Sequence, residues 1–186
     1  MNKGPLADLL AGELTLRTAR FELAPLTPAD GEDLFAALSD PEVVRFMDID
    51  PHVDVAQTQA VIDWAERHRS AGQGVRWAIR RREDGGFVGT CGFNSLIFER
   101  GCRGEIGYDV RRAAWGQRVM NEVLPTLAGF GFGALGLRRI EAHVTPGNTW
   151  SCALLERHGF EQEGVLREYA FWKDNFWDQI VYAKLG

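Results

Sequence analysis

A mixed α/β sheet with helices packed on both faces is the fold class that this 186-residue sequence predicts. Three observations predict it. Apolar alternation marks strands near both ends and in the middle of the chain, and helical periodicity marks the segments between them. Residues 105–110 read as a strand that leaves through a basic, tight loop onto a helix within 116–132, and the other elements are arranged around that unit. In chain order there are strands and helices, a three-strand meander, then β-α-β-α-β-β, which is the pattern of one sheet covered on two sides.

Residues 14–26 (LTLRTARFELAPL) alternate in stretches broken near Thr18 and Ala19, as two short strands or one bulged strand would. Thr27 and Pro28 open a helix, because Thr suits the N-cap and Pro the first helical turn. Leu34, Phe35 and Leu38 form its apolar side, and Ser39-Asp40-Pro41 ends it. The spacing predicts a second short helix over 41–46, followed by the irregular DIDPHVD. Asp54 caps a longer helix to about Ser70, with Val55, Val61, Ile62 and Ala65 on one side and Trp64 either in the core or lining a cleft. Gly72 and Gly74 break it. Residues 75–80 alternate as a strand, Glu83-Asp84-Gly85-Gly86 signals a hairpin turn, and 87–96 form the return strand. A loop over 99–103 leads to the strand 105–110.

Val119, Met120, Val123, Leu124, Leu127 and Phe130 fall on one helical face. A strand that delivers backbone amides onto a helix N-terminus is a phosphate-binding device, because the unpaired N–H groups and the helix dipole both favour an anion. Arg111, Arg112 and Arg118 add positive charge there, although an ordinary connection with a solvated basic loop has the same pattern. Pro125 removes the N–H that would bond the Asn121 carbonyl, which predicts a kink, and Gly129, Gly131 and Gly133 weaken the last turns. Residues 139–144 (RIEAHV) form a strand with Ile140, Ala142 and Val144 on one face and Glu141 and His143 on the other. Pro146-Gly147-Asn148 turns the chain into a helix over 149–158, with Gly159 in the left-handed C′ position. Strands near 164–172 and 179–185 close the domain.

Hydrophobic content of 45% and charged content of 25% are those of an ordinary globular protein, and the length suits one domain, with residues 1–13 expected as a flexible N-terminal extension. A net charge of −5 argues against nucleic acid as a partner, so the basic residues near position 111 suit a small anionic ligand better than a polyanion. Cys91, Cys102 and Cys152 are odd in number and widely spaced, as reduced thiols are, and give neither a metal site nor a disulfide framework. MNKGPLADLLAGE lacks the long apolar core of a signal peptide or a membrane span, so a cytoplasmic location is expected.

The stretches GEIGYDV, AAWGQRVMNEVL, GLRRIEAHVTPGNTWSCALLERHGFEQEGVLREY and WDQIVYAKL together resemble the GNAT acyltransferases, and within them the RimJ/RimL-type protein N-acetyltransferases. The resemblance covers nearly the whole chain. It implies the GNAT acyl-CoA N-acyltransferase fold, with a central, mostly antiparallel sheet, and acetyl-CoA as donor without a metal. It implies that the strand holding Ile106, Tyr108 and Val110 splays from its neighbour and binds the pantetheine arm through free backbone groups. Amides of the loop and first helical turn, from Arg111 and Arg112 through Trp115, Gly116, Gln117 and Arg118 to Val119 and Met120, would hold the pyrophosphate. A strand N–H would polarise the acetyl carbonyl as an oxyanion hole does. The family usually reads WGxG where this chain has Trp115-Gly116-Gln117-Arg118. Either Arg118 keeps a helical backbone and swings its side chain to a phosphate, or its bulk weakens coenzyme binding.

The implied chemistry is direct attack of an amine on a thioester, which needs a deprotonated amine, a polarised carbonyl and a proton for the leaving thiolate. Many GNAT enzymes place a tyrosine acid where this chain has Leu155. Ser151, one helical turn after Asn148, is then the candidate to hydrogen-bond the coenzyme sulfur, or else a plain first-turn serine. Asn148 either contacts the pantetheine or serves as cap. His143, Glu141 and Glu105 are the candidate bases, and the alternative for each is a structural strand residue. Glu168, Tyr169, Trp172 and Trp177 are expected near the acceptor end, with Trp64 and Phe46 opposite, while Cys152 reads as an inert thiol. The resulting expectation is an N-acetyltransferase acting on a protein N-terminus or a small-molecule amine, with monomer and homodimer both left open. The competing classes are a CoA-binding sensor and an interaction domain with degenerate catalysis.

Overall fold

The computed structural model describes residues 9–10, 12–99 and 101–186. Its strands are β1 (Leu16–Arg17), β2 (Phe21–Pro25), β3 (Val75–Arg81), β4 (Phe87–Ile97), β5 (Arg103–Val110), β6 (Arg139–Val144), β7 (Glu161–Trp172) and β8 (Asn175–Leu185). Its helices are α1 (Gly31–Leu38), α2 (Val55–Ser70), α3 (Val119–Phe132) and α4 (Thr149–Arg157). The strands form one sheet in the order β1-β2-β3-β4-β5-β6-β8-β7. Every neighbouring pair is antiparallel except β5 and β6, whose connection through α3 brings the chain back in the same direction.

Helices cover both faces because successive strand residues point to opposite sides. Trp77, Val88, Phe93, Ile106 and Ile140 pack with Val123, Leu124 and Leu127 of α3 and Leu155 of α4 in the main core. Ala78 and Phe87, adjacent in sequence to Trp77 and Val88, pack instead with Leu34 and Leu38 of α1 and Ile62 and Ala65 of α2. α3 runs on through Pro125 with its apolar face buried. Gly131 has a packing reason beyond its poor helix propensity: a Cβ there would lie 2.7 Å from Phe93 Cζ and 2.9 Å from Ile140 Cδ1, so the glycine lets the helix lie close on the sheet. Thr27 and Asp30 form the capping box that starts the first helical region, as a 3₁₀ turn (Pro28–Asp30) leading into α1.

Four expectations need correction. Residues 41–46 are turns, not a helix: Val43 and Val44 both donate to the Asp40 carbonyl, and the Asp40 carboxylate accepts the Glu42 N–H at 2.9 Å. That side-chain bond offers the backbone an alternative to helix, and two β-branched residues follow. Val55 is half exposed, and the buried stripe of α2 is Thr58, Ile62 and Ala65. The terminal hairpin is longer than expected, and it turns at Lys173 and Asp174, both at positive φ (50° and 56°). Such a turn is usually announced by Asn-Gly, which is why this one was hidden. Arg118 is not helical: its φ of 56° and ψ of 31° are left-handed, and α3 starts one residue later.

The expected extension over residues 1–13 lies mostly outside the described residues, and within it Leu10 is fully buried in the main core. Among the described residues no helix is long and apolar enough to cross a membrane.

Candidate active site

The site begins where the sheet comes apart. β5 and β6 pair only through Arg103↔Arg139, Gly104↔Ile140 and Glu105↔Glu141, while β5 stays paired with β4 as far as Val110. Beyond Glu105 the edge of β5 facing β6 has no strand partner, which leaves a wedge between the two strands.

A bulge on the opposite side of β5 coincides with the parting. Asn94 is an extra residue in β4, inserted between the pairs Phe93↔Ile106 and Ser95↔Glu105. Bulges bend and twist the strand that carries them, here at the level where β5 leaves β6. A buried polar network pins it. The Arg76 guanidinium donates to Asn94 Oδ1 at 3.0 Å, Thr90 Oγ1 at 2.9 Å and Asp109 Oδ2 at 2.7 Å. Thr90 donates to Asp109 through both its hydroxyl and its N–H. The side chains of Arg76 and Asp109 are only 13% and 3% exposed. Gly107 is bare because Asn94 lies on it: a Cβ there would come within 3.1 Å of Asn94 Cγ.

At the mouth of the wedge the loop over 111–118 spends several of its own amides internally. Arg111 N–H bonds the Val88 carbonyl, Ala114 bonds Arg111, Trp115 bonds Arg112 and Gln117 bonds Ala114. The amides without an acceptor among the described residues include those at the start of α3, Val119 and Met120, and no side chain caps that helix end. Within the expected loop, the portion from Gly116 (φ 75°) through Arg118 to Met120 is the part that adjoins this uncapped helix start. The side chains of the other residues have structural partners. Arg111 Nη1 reaches the Phe87 carbonyl at 3.3 Å, Arg112 sits 3.9 Å from Asp40, Gln117 Nε2 bonds the Ala113 carbonyl, and the Trp115 indole donates to the Val110 carbonyl at 2.7 Å. The left-handed Arg118 gives a physical reason for a glycine preference at this position, since only glycine adopts such a conformation without strain.

The side chains around the wedge divide by face. Ile106, Tyr108 and Val110 pack on the main core, which places them on the α3/α4 side. Ser151, in the first turn of α4, is on that side too, and its Oγ lies 2.7 Å from Tyr108 Oη. Asn148 is the cap of α4, its Oδ1 accepting the Ser151 N–H at 3.3 Å. Burial pushes the Tyr108 phenol up to about 12, a rise that its bond to Ser151 only partly offsets. Leu155 is fully buried in the core, and Cys152 is partly buried beside it.

Glu105, Glu141 and His143 lie on the other face, toward α1 and α2. Glu105 and Glu141 stand opposite each other in the last paired rung, at the closed end. Glu141 is held 2.5 Å from Arg139 Nε, and Arg139 also bonds Glu163. His143 alone of the three stands beyond the last rung, edge-on to the Tyr169 ring at 5.4 Å. Tyr169 lines an open cavity of about 780 Å³ with Glu168 and Asp178, formed where β7 bulges away from β8 between Leu166 and Ala170. Trp172 and Trp177 stack on each other, and Trp64 packs against the second core.

The segment after α1 closes the region from above. Lys173 Nζ donates to the Val44 carbonyl at 2.7 Å, and Thr145 Oγ1 donates to the Phe46 carbonyl at 3.0 Å. Sequence reasoning missed Lys173, Thr145 and the Arg76 network, because each contact joins residues distant in the chain and none belongs to a motif.

A sheet parted at its one parallel seam, with an uncapped helix end at the mouth, is an arrangement suited to an extended ligand that carries an anionic group. The chain belongs to the GNAT acetyltransferases: the acetyltransferase (GNAT) domain family matches residues 20–161. It is 39% identical to the uncharacterized N-acetyltransferase p20 of Bacillus licheniformis, covering 92% of this chain and 96% of that protein. It is 35% identical to the uncharacterized N-acetyltransferase YoaA of Bacillus subtilis, covering 90% of this chain and 94% of that one. The fold is shared with Mycobacterium smegmatis RimJ in complex with CoA-disulfide, at a TM-score of 0.82 and 23% identity, covering 92% of this chain and 87% of the other.

Proposed function

We propose that the wedge takes the pantetheine arm of acetyl-CoA and that acetyl passes directly to a primary amine arriving from the side of His143 and Tyr169. The observation that carries this is the parting of β5 from β6 after Glu105↔Glu141, next to the uncapped start of α3. The amides of Val119 and Met120, together with the dipole of α3, suit the pyrophosphate and need no metal. Unpaired backbone donors of β5 suit the thioester carbonyl. The two faces divide the labour: Ser151 and Tyr108 stand on the sulfur side, and His143 stands on the amine side as the best-placed base of the three. Glu105 and Glu141 are at the closed end, and Glu141 is committed to Arg139. Glu168, Asp178 and Tyr169 give the acceptor side acidic and aromatic walls, which suits a cationic amine, whether a protein N-terminus or a small amine. The CoA-disulfide bound to RimJ, which shares this fold, supports the donor assignment.

Calorimetric titration of acetyl-CoA, followed by thiol release with peptide N-termini and with small polyamines, tests the reading. Micromolar binding and thiol release with one of the two acceptor groups are expected. No binding would overturn it. Binding without amine-dependent thiol release from either group would leave a coenzyme sensor instead.

A further inference from the structure

The contact between Tyr108 and Ser151 spans the wedge from strand to helix. Tyr108 belongs to the stretch of β5 that has lost its partner on the β6 side, and Ser151 sits at the start of the helix that follows β6. Their hydroxyls are the only side-chain groups that the described residues show bonded from that free stretch of β5 to α4, at 2.7 Å. Asn148 holds the Ser151 backbone N–H, which fixes where the serine's Cα and Cβ stand at the start of α4.

Resting on the acetyl-transfer reading above, we propose that Tyr108 is a positioning residue for the departing thiol: its phenol donates to Ser151 Oγ and thereby aims the Ser151 proton at the sulfur in the wedge. A serine hydroxyl has one proton and two lone pairs. Once a neighbour donates to it, its own proton is free to point elsewhere, and the two bonds reinforce each other. In the reaction the amine nitrogen bonds to the acetyl carbon, the carbon–sulfur bond breaks, and its electron pair goes to sulfur. Ser151 meets that charge with a hydrogen bond, and the proton released as the amine becomes an amide neutralises the thiolate. Tyr108 keeps its own proton. With its phenol pushed up to about 12, it is a poorer acid than a thiol of about 8.5, so handing over the proton is uphill whereas donating a hydrogen bond is not.

A double-mutant cycle tests this with Tyr108→Phe, Ser151→Ala and the combined variant, reading kcat, KM for acetyl-CoA and calorimetric affinity for coenzyme A. Phenylalanine preserves the ring that packs on the main core, and a thermal melt of each variant checks the fold. Tyr108→Phe is expected to lower kcat about fivefold to tenfold with little change in KM or coenzyme affinity. Ser151→Ala is expected to cost more, and adding Tyr108→Phe to it should change kcat by less than about twofold, because the phenol acts only through the serine. An equal loss from Tyr108→Phe in both backgrounds overturns the proposal, as does unchanged kcat, or a loss confined to KM and affinity. A wild-type protein that binds acetyl-CoA but releases no thiol with any amine removes the acetyl-transfer reading and this proposal together. An active wild type with an additive cycle removes this proposal alone.

Discussion

Replacing Arg118 by glycine separates what this residue does for the fold from what it does for a ligand. Arg118 is the residue before α3 and is held at φ 56° and ψ 31°. For a residue with a Cβ, the left-handed region costs roughly 1–2 kcal/mol, whereas glycine enters it freely. Glycine gives back roughly 0.4–1 kcal/mol through the greater freedom of its unfolded chain. A cation at the positive end of α3 is also mildly unfavourable, so removing it adds a few tenths of a kcal/mol in the same direction, about 0.3. The Arg20 contacts here survive, because they go to the carbonyls of Gln117 and Arg118. The net expectation is a gain of about 1 kcal/mol, or a rise in Tm of roughly 2–4 °C for a chain of this size. Arg118→Ala removes the same side chain but keeps the strain, so it should gain almost nothing. A thermal melt of the three proteins without ligand measures this. A melting temperature for Arg118→Gly at or below that of Arg118→Ala would refute the strain argument. The same proteins titrated with acetyl-CoA report the ligand role: if the exposed guanidinium pairs with a phosphate, both substitutions should weaken binding by about tenfold, a loss of about 1.4 kcal/mol.

Two other expectations concern the frame of the site. Asp109→Ala leaves the Arg76 guanidinium buried without its carboxylate, which should cost about 3–5 kcal/mol in a denaturant titration, and a loss below about 1 kcal/mol would show that the network relaxes without harm. The pH dependence of folding should carry the mark of His52, which burial holds below its ordinary 6.5, and of His158, lowered first by burial and then by Lys184 and Arg157. Above about 6.5 these rings are neutral in both states. Below it the unfolded chain takes up protons that the folded chain resists, so stability falls as pH drops below about 6.5. His52→Gln should flatten part of that fall in melts run across this range, and an unchanged slope would exclude the buried ring as its source.

The parts of the fold that the sequence revealed are those carried by local patterns. The amphipathic face of α3, the alternation of Ile140, Ala142 and Val144, the Asp54 and Asn148 caps and the left-handed Gly159 all lie within one or two turns of chain. Motif spacing led to Ser151, Asn148 and the start of α3. The reason the sheet parts was out of reach, because the bulge at Asn94 is defined only against β5, and it is pinned by Arg76 from a third strand. Choosing between His143 and Glu141, which sequence placed slightly ahead of Glu105 as candidate bases, was equally out of reach. Alternation places Glu141 and His143 on one face, but only the register with β5 shows that pairing stops between them. Arg118 was misread for a local reason, since a non-glycine residue gives no sign in sequence that it stands in a left-handed conformation.

The clasp made by Lys173 and Thr145 on the carbonyls of Val44 and Phe46 bears on the mechanics of the opening. β1 to β5 are drawn from the first part of the chain and β6 to β8 from the last, so the sheet resembles two leaves of a book sharing three rungs of spine. The main core under α3 and α4 and the Tyr108–Ser151 contact already join those leaves, and the clasp adds a further tie. With it, the far ends are tied as well, and the gap becomes a window in a closed frame. The width of that window is then set by the frame, and whatever passes through must be slender enough to be threaded.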